Sequence, residues 1–188
     1  MNPSAADQHS LLELARQSIA HGLQSDSPLK VDLTAYEPTL RQPGASFVTL
    51  KLNGNLRGCI GSLEAHQPLA SDVARNAHAA AFSDPRFNRL SAAEFDQIEL
   101  SISILTPAEE LTFDNEQHLI SMLHPGEDGL ILTDKGHRGT FLPSVWEQLP
   151  EPRDFLRHLK VKAGLPADHW SPSLRVSRYH TLHLGEGA

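Results

Sequence analysis

The sequence holds a single cysteine, Cys59, among 188 residues. One cysteine cannot form a disulfide within the chain. Neither a CxxC nor an HExxH motif occurs, so the most specific metal-ligand spacings are missing as well. The eleven histidines are scattered, and we expect them to be solvated or to lie at the edge of a core. We therefore predict no metal site and no bound cofactor.

Long apolar runs and a recognisable leader are also missing. No apolar stretch approaches the roughly 18 residues that a membrane-spanning helix needs. The first ten residues, MNPSAADQHS, show neither the basic region nor the apolar region of a secretory signal. Together with the single thiol, these features predict a cytoplasmic protein in a reducing compartment.

An excess of basic residues is absent too, because the formal net charge is −7. An acidic chain is poorly suited to non-specific binding of nucleic acids or anionic membranes. The Walker A motif and the dinucleotide-binding glycine pattern do not occur either. The charge and motifs therefore disfavour nucleic-acid and nucleotide binding.

The residues that are present predict one α+β domain over residues 1–188, in which an antiparallel or mixed sheet is flanked by helices. Ser4 is positioned to cap a first helix that ends near Gly22. Asn53-Gly54 predicts a tight hairpin between two strands. The remaining patterns predict a helix opened by Pro68, a strand at Ile98–Leu105, a short helix at 116–123, a hairpin turning at 134–136, helices after Pro143 and Pro152, and a last strand at Ser173–Leu184.

The segment LRGCIG, residues 56–61, contains the cysteine together with an arginine and two glycines. On a regular strand, Leu56 and Ile60 would face the core, and Arg57 and Cys59 would share the other face. A nearby guanidinium favours the thiolate form of a cysteine. The two glycines, at positions 58 and 61, would expose backbone N–H groups beside the thiol. This arrangement predicts Cys59 as a candidate nucleophile with an anion-stabilising site.

A structural interpretation of the same segment stays open. Glycine in a strand marks a bulge or a close approach of another backbone, and a free cysteine often packs as a small apolar residue. A catalytic cysteine also needs a base, and His66 and His78 are the nearest histidines in the sequence. Nothing in the sequence places either of them beside Cys59.

Other polar residues also have both a functional and a structural interpretation. Asn76 lies on a helix rich in small residues, where it would bind a ligand or cap a neighbouring loop. The segment SDPRF would place Arg86 over the site or form a turn that buries Phe87. Glu99, Ser101 and Ser103 alternate along one strand, and their face would line a cleft or be solvated.

Taken together, the motifs resemble the AMMECR family, whose bacterial and archaeal members are labelled protein A of the AmmeMemoRadiSam system. The resemblance runs from the first helix to RYHTLHL. Its most specific element is the unaltered LRGCIG hexapeptide. The further matching stretches are LEAHQPLASDVARNAHAAAFSDPRF, IELSISIL, PGEDGLIL and GTFLPSVWEQLPEPRDFLRHLKVKAGL.

The resemblance implies a larger and a smaller lobe with a cleft beside LRGCIG. It implies a functional centre at Arg57, Gly58, Cys59 and Gly61, with Asn76, Asp84, Arg86 and Phe87 as additional residues. It also implies two partners, a Memo-like protein related to dioxygenases and a radical-SAM protein.

Two functions follow from these expectations. In the first, the chain is an accessory component that binds a substrate, an intermediate or a partner. In the second, it is an enzyme that uses Cys59 for acyl or related group transfer. A regulatory role linked to nucleic acids is a third and weaker alternative.

Overall fold

The computed structural model describes residues 3–185 and divides the chain into two compact units. Unit 1 comprises the chain up to Leu105 together with the segment from Leu182 onward, and unit 2 comprises Thr106–Thr181. Both units combine helices with antiparallel strands, which confirms the predicted α+β class. None of the helices within residues 3–185 has the length and apolar character needed to cross a membrane.

Unit 1 is built from two long helices, a four-stranded sheet and short connecting elements. In chain order the elements are α1 (Ala5–Ser25), α2 (Pro38–Arg41), β1 (Pro43–Gly44), β2 (Ser46–Leu52), β3 (Asn55–Gly61), β4 (Gln67–Pro68), α3 (Leu69–Phe82), α4 (Ala92–Phe95) and β5 (Ile98–Leu105). The strand β10 (Thr181–Gly185) pairs with β5 and gives the sheet the order β10-β5-β2-β3.

The first helix begins where the sequence predicts and ends later. Ser4 and Asp7 form a reciprocal capping box, which satisfies the first free N–H groups of α1. The predicted stop at Gly22 is wrong, because α1 continues to Ser25 and closes at Asp26 in the left-handed conformation. A Cβ atom on Gly22 would lie 2.4 Å from the ring of Phe82, so this glycine allows close helix packing.

The core of unit 1 lies between its sheet and the helices α1 and α3. Alternate residues of β2 and β5, including Val48, Leu50 and Ile102, are fully buried against apolar residues of both helices. The opposite side of the sheet, here called the outer face, carries the intervening residues of the same strands.

A β-bulge in β3 changes the predicted faces of the LRGCIG segment. Leu50 is opposite Gly58 while Lys51 is opposite Leu56, so Arg57 is the extra residue. The bulge moves Leu56 to the face of Lys51, where it is 43% exposed, so its predicted core position is wrong. Ile60 lies beyond the bulge and packs against the core as predicted.

Unit 2 contains a second four-stranded sheet with the order β6-β9-β7-β8. Its elements are β6 (Glu109–Glu110), α5 (Glu116–Ser121), β7 (Gly129–Asp134), β8 (His137–Phe141), a 3-10 helix (Pro143–Glu147), α6 (Pro152–Lys162) and β9 (Arg175–Tyr179). The predicted hairpin turn is confirmed by positive φ angles at Lys135 and Gly136. In the core, the rings of Trp146 and Phe155 stack at 3.7 Å.

The predicted last strand at Ser173–Leu184 is wrong, because this stretch forms two strands in different sheets. β9 belongs to unit 2, and β10 joins β5 in unit 1. The residue between them, His180, is bound twice to Thr106: the Thr106 N–H donates to the His180 carbonyl at 2.9 Å, and the His180 N–H donates to the Thr106 hydroxyl at 2.9 Å. A continuous alternating pattern cannot reveal this change of partner, because both strands have the same period.

Candidate functional site

Cys59 lies on the outer face of unit 1 in a row of small polar side chains. Thr49 stands opposite Cys59 on one side and opposite Ser101 on the other. The hydroxyl of Thr49 donates to the Cys59 sulfur at 3.2 Å. All three side chains are partly exposed. The thiol is therefore a surface group on an ordered sheet and is not a small apolar residue of the core.

The backbone of Cys59 is held at the free edge of the sheet by two side chains. β3 is an edge strand, and edge strands carry N–H and C=O groups without a neighbouring strand. The N–H of Cys59 donates to Asp84 Oδ2 at 2.9 Å, and Arg86 Nη2 donates to the Cys59 carbonyl at 3.3 Å. Asp84 and Arg86 thus take the place of a next strand at this residue.

Asp84 and Arg86 also bind each other through two contacts. Arg86 Nη2 donates to Asp84 Oδ2 at 2.7 Å, and Arg86 Nε donates to Oδ1 at 3.0 Å. These bonds, together with the N–H of Cys59, hold the pKa of the buried Asp84 carboxyl far below its usual value. The same pairing raises the pKa of Arg86.

Arg57 is paired with a carboxylate on α4. Its Nε donates to Glu94 Oε1 at 2.8 Å and its Nη2 donates to Oε2 at 3.2 Å. This pairing lowers the pKa of Glu94 to about 2. Because Arg57 is the extra residue of the bulge, its side chain reaches Glu94 on α4. The cation that contacts Cys59, at its backbone carbonyl, is Arg86.

Asn76 lies apart from the outer face, in a buried hydrogen-bond network. Its amide donates to Asp72 Oδ2 at 2.9 Å and to the Ser46 carbonyl at 3.0 Å. Asn76 is 3% exposed, so it ties α3 to the start of β2 and does not face solvent. The bond to the Ser46 carbonyl satisfies a backbone group of a neighbouring segment.

Asp72 is the centre of that network, and sequence reasoning missed it. The carboxylate is 1% exposed and both of its oxygens accept several hydrogen bonds. Its donors are the N–H and hydroxyl of Ser46 at 2.8 and 2.7 Å, the hydroxyl of Ser62 at 2.7 Å, and the amides of Gln67 at 3.1 Å and Asn76 at 2.9 Å. In the sequence, an acidic residue in the first turn of a helix is explained by the helix dipole alone.

The two glycines of the motif allow close packing. A Cβ atom on Gly58 would lie 2.1 Å from the backbone oxygen of Ala80 on α3. A Cβ atom on Gly61 would lie 2.2 Å from the ring of Phe47, which covers this glycine on the outer face. The N–H of Cys59, between these two glycines, is bound to Asp84.

The two histidines considered as bases are engaged elsewhere. His66 is exposed and pairs with Glu64 at 2.9 Å. His78 packs against Phe82, and burial lowers its pKa. Within residues 3–185, no histidine hydrogen-bonds the Cys59 sulfur. The same residues hold no group of three or more His, Cys, Asp or Glu side chains arranged for a metal ion.

Comparison with known proteins assigns the chain to a family. The AMMECR1 family model matches residues 12–184. The chain belongs to the AMMECR1 family. A protein of Saccharolobus islandicus is 41% identical over 185 residues, covering 94% of this chain and 80% of that one. A protein of Methanothermobacter thermautotrophicus is 37% identical over 173 residues, covering 90% and 88%.

A solved structure supports the fold of this AMMECR1 chain. The crystal structure of the uncharacterised protein PH0010 from Pyrococcus horikoshii superposes with a TM-score of 0.84 at 28% sequence identity. The match covers 96% of this chain and 92% of that one. Neither the relatives nor this structure carries a name that states an activity.

Proposed function

We propose that this AMMECR1-family chain is a ligand-binding component whose ligand contacts the outer face of unit 1 around Cys59. The observation that carries the proposal is the contrast between the backbone and the side chain of this residue. Asp84 and Arg86 hold both backbone polar groups. The thiol is partly exposed and receives one hydrogen bond, from Thr49.

The chemistry of the outer face suits a small polar molecule. Ser101, Thr49 and Cys59 present two hydroxyl groups and a thiol in one cross-strand row. Beside them, the Arg86 guanidinium is about half exposed and is fixed by Asp84. Side chains fixed before binding lose less entropy when a ligand is bound, so this rigidity supports a recognition role.

We further propose that the ligand is shared with the two partners that the family resemblance implies, a Memo-like protein and a radical-SAM protein. The support for this step is the family assignment alone. In such an arrangement, this chain would bind a substrate or an intermediate, and the partners would supply the redox chemistry.

The alternative, a cysteine enzyme for acyl or related group transfer, has less support. A cysteine nucleophile needs a nearby base or a cation that stabilises the thiolate. Arg57, the expected cation, is bound to Glu94. Arg86 remains beside Cys59, but its charge is shared with the carboxylate of Asp84. The backbone N–H of Cys59 is also occupied, by Asp84.

The experiment that tests the proposal is co-purification of the tagged chain with the Memo-like and radical-SAM proteins encoded in the same genome. We expect a complex, or one small molecule recovered with both this chain and a partner. Cys59→Ser should weaken that association at least fivefold, while Ser27→Ala, an exposed position away from β3, should leave it unchanged. Absence of any complex or shared molecule under both oxidising and reducing conditions would contradict the proposal.

A further inference from the structure

Unit 2 contains a cavity whose lining includes none of the outer-face residues around Cys59. Its volume is about 290 Å³, which is enough for a small metabolite. Within residues 3–185, the lining residues belong to unit 2: Thr106, Pro107, Glu109, Arg178 and His180. The lining includes one carboxylate, one guanidinium and one imidazole.

Glu109 and Arg178 are direct cross-strand neighbours in β6 and β9. Opposite charges in this position ordinarily pair across the ladder. Among the residues that the structure describes, Glu109 forms no ion pair, although Glu110 beside it pairs with Arg175 at 2.7 Å. The two charges of Glu109 and Arg178 therefore both line the cavity without neutralising each other directly.

Arg178 forms its ion pair with a buried aspartate and not with Glu109. Asp128 is 0% exposed, and its Oδ2 lies 3.8 Å from Arg178 Nη1. The same Nη1 contacts the Met122 carbonyl at 3.4 Å and His124 Nδ1 at 3.3 Å. Nε and Nη2 of Arg178 make no hydrogen bond to any residue in 3–185, so two donors of the guanidinium stay available.

His180 is fixed at the same position by the backbone and by Asp128. Its Nδ1 lies 3.2 Å from the Glu127 carbonyl and 3.8 Å from Asp128 Oδ1, an oxygen without a hydrogen-bond partner in the described chain. The hydroxyl oxygen of Thr106 accepts the backbone N–H of His180 at 2.9 Å. The hydroxyl proton of Thr106 is thus free to be donated to a ligand.

We propose that this cavity binds a small zwitterion of the amino-acid class, a molecule with a carboxylate and an ammonium group. The carboxylate accepts hydrogen bonds from Nε and Nη2 of Arg178 and from the Thr106 hydroxyl. The ammonium group pairs with Glu109. The free donors of Arg178 and the carboxylate of Glu109 then each meet an opposite charge, and each charge-assisted hydrogen bond contributes more than a neutral one.

The test is saturation-transfer NMR on the full chain with each of the twenty standard L-amino acids as probe. We expect at least one amino acid to bind. For that amino acid, the analogue without the ammonium group and the analogue without the carboxylate should each bind at least tenfold more weakly. Glu109→Gln should weaken binding at least tenfold, and Arg178→Gln should do the same.

Glu110→Gln is the matched control, because it removes the same charge from the next residue of β6, whose side chain pairs with Arg175. This variant should bind as the native chain does. Failure of all twenty amino acids to bind would overturn the proposal. Equal binding of the carboxylate-only analogue, or an unchanged affinity in Glu109→Gln, would also overturn it. Because Glu109 is exposed, its variant gives a result even where Arg178→Gln fails to fold.

Discussion

Asp72 in unit 1 and Asp128 in unit 2 are equally buried, yet their surroundings differ. Asp72 accepts hydrogen bonds from four residues, and both of its oxygens are satisfied. The Asp128 carboxylate accepts one, from the His124 N–H at 2.7 Å, and its Oδ1 has no hydrogen-bond partner in the described chain. A saturated carboxylate fixes the fold around it, whereas an unsaturated one holds charged side chains at the edge of a cavity.

The surroundings of Asp84 are intermediate between those of Asp72 and those of Asp128. It is buried and accepts hydrogen bonds from Arg86 and from the Cys59 backbone, but its partner Arg86 is about half exposed. The same substitution, aspartate to asparagine, therefore has a different expected cost at each of the three sites. The first three predictions compare these costs.

Asp72→Asn should have the largest effect and lower the free energy of unfolding by about 3 kcal/mol, because the NH2 group of the asparagine would face buried donors that the carboxylate now accepts. Urea unfolding followed by far-ultraviolet circular dichroism measures this loss. Asp114→Asn, at an exposed carboxylate, is the control and should stay within about 0.5 kcal/mol of the native chain. A loss at Asp72 below about 1 kcal/mol would contradict the structural role of the network.

Asp84→Asn should cost about 2 kcal/mol at pH 7, since it weakens the bonds to Arg86 and to the Cys59 N–H. The pKa of Asp84 is lowered in the folded state from the ordinary 3.8, so its contribution is present above that pH. It is lost as the pH falls toward the folded-state pKa. Urea unfolding at several pH values should show the difference between native and variant shrinking below about pH 4. A difference that grows in acid would contradict this assignment.

Asp128→Asn should cost only about 1 kcal/mol, because the asparagine oxygen can still accept the His124 N–H. Both tryptophans, Trp146 and Trp170, belong to unit 2, so tryptophan fluorescence during urea unfolding reports on the unit that holds Asp128. A cost equal to that of Asp72→Asn would remove the distinction between the two carboxylates.

Glu94→Gln should have the smallest effect, about 0.5 kcal/mol, because its pair with Arg57 is partly exposed and screened by solvent. The pKa of Glu94 is lowered to about 2 from 4.5, so this contribution is present above pH 4.5 and lost as the pH falls to about 2. Thermal unfolding of the native chain and of Glu94→Gln at pH 7 measures the contribution of the pair, and the same comparison at pH 2 measures its loss in acid. A stabilising effect of the substitution at pH 7 would show that the pair does not hold Arg57.

Elements specified by local sequence were predicted well. The strand Ile98–Leu105 has the predicted bounds, since its alternation of apolar and polar residues is uninterrupted. The turn at Asn53-Gly54 is confirmed, because these residue types adopt positive φ at low cost. The capping box at Ser4 is equally local and was also predicted.

Features that depend on distant partners were not predictable in the same way. The bulge at Arg57 reflects the pairing of β3 with β2 and the close approach of Ala80 to Gly58. The split of the last strand at His180 depends on Thr106, far away in the sequence. For the site, the sequence indicated Cys59, Asp84 and Arg86 without the bonds that join them.

The most direct test of the central claim is the rate at which Cys59 reacts with iodoacetamide at pH 7, in the native chain and in urea. Because Cys59 is the single thiol, the signal has one source. We expect native Cys59 to react without prior unfolding and no faster than in urea, because it is a partly exposed thiol that acts as a ligand contact. A native rate more than tenfold above the rate in urea would show an activated nucleophile. Complete protection until unfolding would show a packed thiol, and either result would contradict the account.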